Sequence, residues 1–285
     1  MMESFSQRKG LKPIKNVMQV DSMDNDLRNG LWNALSIFYL NRIEANVYGE
    51  WYLANDRDVE ILFKRLWHNY FKKPIDTLSI HWPEPRDEVR KYFFNCEWFD
   101  VYDFIEFVAM RYPDGGINSK FMDFCNSVLK RELSAYRFVG GKITPITSDE
   151  EIHEIEEALE AGPKTVKTHL DTALDLLSDR KSPDYRNSIK ESISAVEAIC
   201  KQITNDTKAT SEQALKEIEK KTGLHPALKK AFSNLYGYTS DAQGIRHALM
   251  DEPNLDFEDA KFMLVSCSAF INYLITKASK ASIEL

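Results

Sequence analysis

The residues with the most capacity for chemistry fall in one short stretch, Tyr236 to Asp251 (YGYTSDAQGIRHALMD). Ser240 followed by Gln243 has capping-box spacing, which predicts a helix opening at Asp241. On a helical wheel Ala242, Ile245, Ala248 and Leu249 share an apolar face. His247 points roughly opposite that face, beside Gln243 and Asp251, and Arg246 lies on the flank. A histidine exchanges protons near neutral pH, and an arginine holds an oxyanion through paired hydrogen bonds. A histidine turned away from its apolar face has three readings: an exposed side chain, a dimer-interface side chain, or a catalytic one.

A second stretch, Asp184 to Thr204, carries a buried stripe of Ile189, Ile193, Val196, Cys200 and Ile203. Arg186, Lys190 and Glu197 share one flank of it. That flank reads either as an ion-pair rung on a surface helix or as a polar edge facing a phosphate.

Other signatures fall short of their chemistry. No G-x-G-x-x-G occurs, and Gly140-Gly141-Lys142 lacks the earlier glycine of a phosphate loop. In His153-Glu154-Ile155-Glu156-Glu157 a glutamate stands where a zinc-protease helix needs its second imidazole. The seven carboxylates between Asp149 and Glu160 read as a solvated helix face, with acids favourable near the N-terminus. Cys96, Cys125, Cys200 and Cys267 lie far apart, so neither zinc spacing nor a disulfide framework is expected. They read as buried thiols in a reducing cytosol. No metal site and no cofactor are expected.

These side chains need helices to position them. Apolar residues recur at three- to five-residue steps over Asp26–Ala54 and Asp56–Tyr70, and helical spacing resumes over 87–111 and 118–135. Pro74, Pro83 and Pro85 interrupt helix over 72–86, and Gly115-Gly116 marks another break. The five tryptophans lie in or beside apolar helices, so core packing is the reading for most of them. Tyr136 to Thr147 (YRFVGGKITPIT) has the β-prone runs around Gly-Gly of a small hairpin. Beyond it, helices are predicted near 149–160, 164–178, 183–204, 211–221, 226–236, 241–251 and 256–278, with Ser148, Ser182 and Thr210 as starting signals. The fold class is all-α, with two helical domains over residues 1–138 and 139–285 and the hairpin at their junction.

Composition adds constraints. The chain has 285 residues and a formal charge of −7, against the basic excess of a nucleic-acid coat or membrane-surface protein. Residues 1–140 hold 25 of the 33 aromatic side chains and a charge of −1, leaving −6 for the remainder. Any binding of a polyanion by the second half must therefore rest on a small focused cluster of basic residues. The apolar run Phe262–Ile275 is shorter than the ~20 residues of a membrane span and carries Ser266, Ser268 and Asn272. It reads as a buried helix, and a cytoplasmic protein without membrane contact is expected.

The N-terminal half, especially Phe5 to Leu35 (FSQRKGLKPIKNVMQVDSMDNDLRNGLWNAL), resembles the N-terminal domain type of AbiJ-related abortive-infection proteins. The C-terminal half resembles a HEPN (higher eukaryotes and prokaryotes nucleotide-binding) domain in its hairpin, the helix SIKESISAVEAI and the segment GYTSDAQGIRHALMDEP. The resemblance implies a helical bundle that dimerises, in a phage-defence protein with a phage-derived trigger. Many active HEPN domains are metal-independent endoribonucleases with an arginine four to six residues before a histidine. His247 matches the histidine, whereas the arginine window holds Ser240, Asp241 and Ala242, and Arg246 adjoins His247 instead. The implied roles are His247 as general acid or base and Arg246 as phosphate clamp, with Arg186, Lys190, Gln243 and Asp241 as substrate-binding residues. The rival implication is a non-catalytic HEPN module for dimerisation, nucleotide or RNA binding, or regulation of another defence protein.

Overall fold

The computed structural model describes residues 5–9, 17–179, 182–208, 223–240 and 255–285, with Gln213, Leu215, Lys216, Glu219 and Lys220 between. It is all-α apart from one two-stranded sheet among these residues. The chain divides into two compact units, Met1–Thr147 and Ser148–Leu285.

The first unit contains α1 (Phe5–Arg8), α2 (Asn25–Phe38), α3 (Arg57–Arg65), α4 (Pro83–Asn95), α5 (Trp98–Arg111) and α6 (Gly115–Arg131). Aspartates start three of these helices. Asp24, Asp56 and Asp114 each accept hydrogen bonds from backbone N–H groups that the first turn leaves unpaired. Gly115-Gly116 therefore does not interrupt α6 but opens it, directly behind the Asp114 cap. Similarly, Pro83 and Pro85 sit in the first turn of α4, where a missing N–H leaves no helical bond unmade. Helix α3 runs on into a single π turn over Leu66–Tyr70, which buries Leu66 and Trp67.

The core between these helices is aromatic. Trp67, Tyr39, Tyr102, Phe63, Phe93 and Phe104 are fully buried in it. Trp32 and Trp82 are buried as well, so core packing holds for them, whereas Trp51 is exposed.

β1 (Arg137–Val139) and β2 (Lys142–Thr144) pair antiparallel, with Phe138 opposite Ile143. Gly140 and Gly141 have φ of 56° and 88°, a turn in which both central residues are left-handed, as glycine permits. A boundary at 138/139 would cut this hairpin; its contacts place it in the first unit. The Asn126 side chain bonds both the N–H and C=O of Phe138 (2.7 and 2.9 Å), and the Glu106 carboxylate accepts from Ile143 N (2.6 Å).

The second unit contains α7 (Asp149–Ala161), α8 (Lys164–Ser178), α9 (Tyr185–Thr204), α10 (Pro226–Ser240) and α11 (Phe257–Lys280). Ser148 caps α7 as its spacing predicts, its hydroxyl accepting from Glu151 N. α9 starts later than Ser182-Pro183 suggests, because Asp184 provides the cap through Asn187 N (2.9 Å). α8 packs closely on α9 through small residues: Ser188 Oγ donates to Ala173 O across the interface (2.8 Å). α11 is long and apolar enough to cross a membrane by length and composition, but here it is a core helix against α7, α8 and α9. Asn272 ties it to α7 by donating to the Glu154 backbone and carboxylate, both at 3.0 Å.

Candidate functional site

The described part of the candidate site lies on α9. Arg186 is half-buried and Lys190 exposed, one helical turn apart, with Glu197 two turns further along the same flank. The wheel therefore places the three as the sequence implies. Asp241, Gln243, Arg246 and His247 lie outside the described residues. The helix predicted at 211–221 is described only at Gln213, Leu215, Lys216, Glu219 and Lys220. α10 continues through Ser240, the residue that would cap a new helix at Asp241, so that residue is itself helical.

Beside Lys190 the structure brings together a pair far apart in sequence. His169 Nδ1 on α8 lies 2.6 Å from Glu191 Oε2 on α9, with both side chains partly exposed. A carboxylate oxygen accepts at this distance, so Nδ1 is the donor and Nε2 faces away from the pair. On the same seam Gln202 Nε2 donates to Thr165 Oγ1 (3.3 Å). No local signal identifies the His169–Glu191 pair, because the two residues stand on different helices and meet only when α8 packs on α9.

A small apolar cavity of about 30 Å³ lies between α9, α10 and α11, lined among others by Ile193, Cys200, Phe232, Cys267 and Phe270. That is room for about one water. Burial pushes the Cys200 and Cys267 thiols up to about 12, so neither is a ready nucleophile. Cys125, enclosed in the first unit, is raised well above an ordinary thiol for the same reason. Among the described residues no group of three or more His, Cys, Asp or Glu side chains is arranged to hold a metal ion.

Residues 3–161 match the family model described as AbiJ N-terminal domain 4, more than half of the chain. The chain belongs to the AbiJ family. Membership places it among abortive-infection proteins, as the stretch Phe5 to Leu35 suggests. The AbiJ match takes in the first unit and extends through α7 of the second. No curated protein and no solved structure matches the chain.

Proposed function

We propose that this AbiJ-family protein is a cytoplasmic abortive-infection effector whose second unit is a HEPN-like, metal-independent endoribonuclease working as a homodimer. The first unit is the regulatory part and answers to a phage-derived trigger. The observation that carries the reading is the AbiJ match over residues 3–161 together with a second helical unit, Ser148–Leu285, that continues well beyond it.

The chemistry requires no cofactor. A base removes the proton of the 2′-hydroxyl, the oxygen attacks the adjacent phosphorus, and the 5′-oxygen leaves with a proton from an acid. The products are a 2′,3′-cyclic phosphate and a 5′-hydroxyl. His247 supplies acid–base exchange, and Arg246, from the same or the partner subunit, offsets the charge on the phosphorane oxygens. Arg186 and Lys190 give an acidic unit a local basic edge for the RNA backbone, and Asp241 and Gln243 hydrogen-bond the substrate.

The test is cleavage of total RNA by the purified full chain in EDTA, alongside growth arrest and phage restriction in cells. His247→Ala is expected to lower cleavage at least ~10²-fold, the usual contribution of general acid–base catalysis, and to abolish restriction. His169→Ala, whose ring is already engaged by Glu191, is expected to retain both. Equal cleavage by wild type and His247→Ala removes the assignment. Restriction without any RNA cleavage selects the non-catalytic module, the reading that the lack of an arginine four to six residues before His247 favours.

A further inference from the structure

Trp51 departs from the other tryptophans of the first unit in being 47% exposed. It follows a loop, Asn46–Glu50, whose tip carries Val47 at 93% and Tyr48 at 85% exposure. An antiparallel bridge between Tyr52 and His81 brings a fourth large apolar side chain alongside, Ile80, which is 66% exposed. Leu53 N donates to Ile80 O (2.8 Å) and Trp82 N to Trp51 O (3.0 Å). Singly exposed apolar residues are ordinary; four of them on one loop and its bridge make a patch.

The loop is rigidly built. Asn46 Oδ1 accepts from the N–H groups of Tyr48 and Glu50 (2.9 and 3.0 Å), and Asn46 N donates to Glu50 O (2.8 Å). Gly49, at φ 79°, takes the left-handed turn and donates to Asn46 O. Asn55 Nδ2 clamps the base through Glu44 O (2.8 Å) and Glu50 O (3.2 Å). A loop held by this many bonds presents Val47 and Tyr48 in one conformation, which removes much of the ordering cost of binding.

Charge narrows the occupant. Residues 42–60 hold five carboxylates and two arginines, and residues 80–88 three carboxylates and one arginine. These two segments carry −5 by themselves and −3 once Lys64 and Lys73, which pair with Glu60 and Glu88, are included, although residues 1–140 as a whole carry −1. Such a field repels nucleic-acid phosphates and anionic lipid headgroups, and also the second half of another copy, which carries −6. It attracts lysine and arginine.

We infer that Val47, Tyr48, Trp51 and Ile80 form a docking surface for a protein segment bearing apolar side chains flanked by lysine or arginine. The loop anchors the apolar groups, and Glu44 with its acidic neighbours selects the flanks. The inference is independent of RNA cleavage by the second unit.

The test is selection of a random linear peptide library against the purified full chain, followed by anisotropy titrations of the recovered peptides. Recovered peptides should combine aromatic or aliphatic residues with lysine or arginine and should bind less tightly as salt is raised. The double variant Val47→Ser, Tyr48→Ser, with both changes at exposed positions, should weaken them about tenfold or more at unchanged melting temperature. Met110→Ser, an exposed control on α5, should leave binding intact. No enrichment, enrichment of acidic peptides, or equal binding by the double variant overturns the inference. Self-association or liposome binding that the double variant abolishes overturns it too, by assigning the patch to a second copy or to a membrane.

Discussion

In the first unit the largest buried side chains are aromatic, with Trp67, Tyr39, Tyr102 and Phe121 fully enclosed, whereas the second unit has Phe270 among aliphatic and small residues. The aromatic core brings polar handles that must be matched. Tyr39 OH donates to Asn118 Oδ1 (3.0 Å), Tyr102 OH pairs with Ser134 Oγ (2.7 Å), and Tyr70 OH pairs with Tyr92 OH (2.9 Å). The second unit gains its order differently, by close approach of α8 and α9 at Ala173 and Ser188. Large rings fill volume between irregularly crossing elements, while small residues let regular helices meet at short range. The difference suits a first unit with several turns and 3₁₀ segments and a second unit made of long helices.

The comparison is broken most directly by truncating each core. Trp67→Ala should destabilise the first unit by about 3–5 kcal/mol, and Leu170→Ala the second by about 2–5 kcal/mol. Calorimetry should show each variant lowering one transition and sparing the other. If either variant shifts both transitions together, the units do not unfold separately.

A smaller effect is expected where the first unit imitates the second. Gly30 of α2 lies so close to α6 that an added Cβ would stand 2.5 Å from Val128 Cγ1. Val128 is buried and β-branched, so it cannot swing aside cheaply. Gly30→Ala should therefore cost about 1–3 kcal/mol from overpacking, less the ~1 kcal/mol that alanine returns in helix propensity. A gain in stability in urea would show that α2 and α6 can move apart at no cost.

The mildest and most selective probe is alkali. Burial raises Tyr39, Tyr70 and Cys125 above their ordinary values, and burial with nearby carboxylates raises Tyr112 to about 12. Raised folded-state values mean that the unfolded chain loses these protons first. Their stabilisation is complete below the ordinary thiol and phenol range and is lost as pH rises from that range to the raised folded-state values. Each fully buried group should contribute a slope of about 1.4 kcal/mol per pH unit there. The second unit holds only Cys200 and Cys267 of this kind among its described groups, so the first transition should fall faster with pH. Parallel decline of the two transitions would contradict the aromatic–aliphatic contrast.

Much of the fold was legible along the chain. Amphipathic spacing and the Ser148 cap locate helices in the right places, and Gly140-Gly141 specifies the hairpin turn. These signals operate within about four residues, the range of helix and turn hydrogen bonds. The Phe5–Leu35 stretch carried the family likeness, which the match over residues 3–161 bears out. Glycine and proline misled where they open helices instead of ending them, at Gly115 behind the Asp114 cap and at Pro83, because the first turn tolerates a residue without a side chain or without an N–H.

Of the candidate site, the sequence places Arg186 and Lys190 on a flank of one helix, while its reading of His247 opposite an apolar face lies outside the described residues. Tertiary structure decided what sequence distance conceals. It joined His169 to Glu191 across two helices, assigned the hairpin to the first unit through Asn126 and Glu106, and left Trp51 outside the core. The physical reason is common to all three. Periodicity tells which face of a helix is apolar, but only packing selects the partner that covers it and the side chains left at the seam.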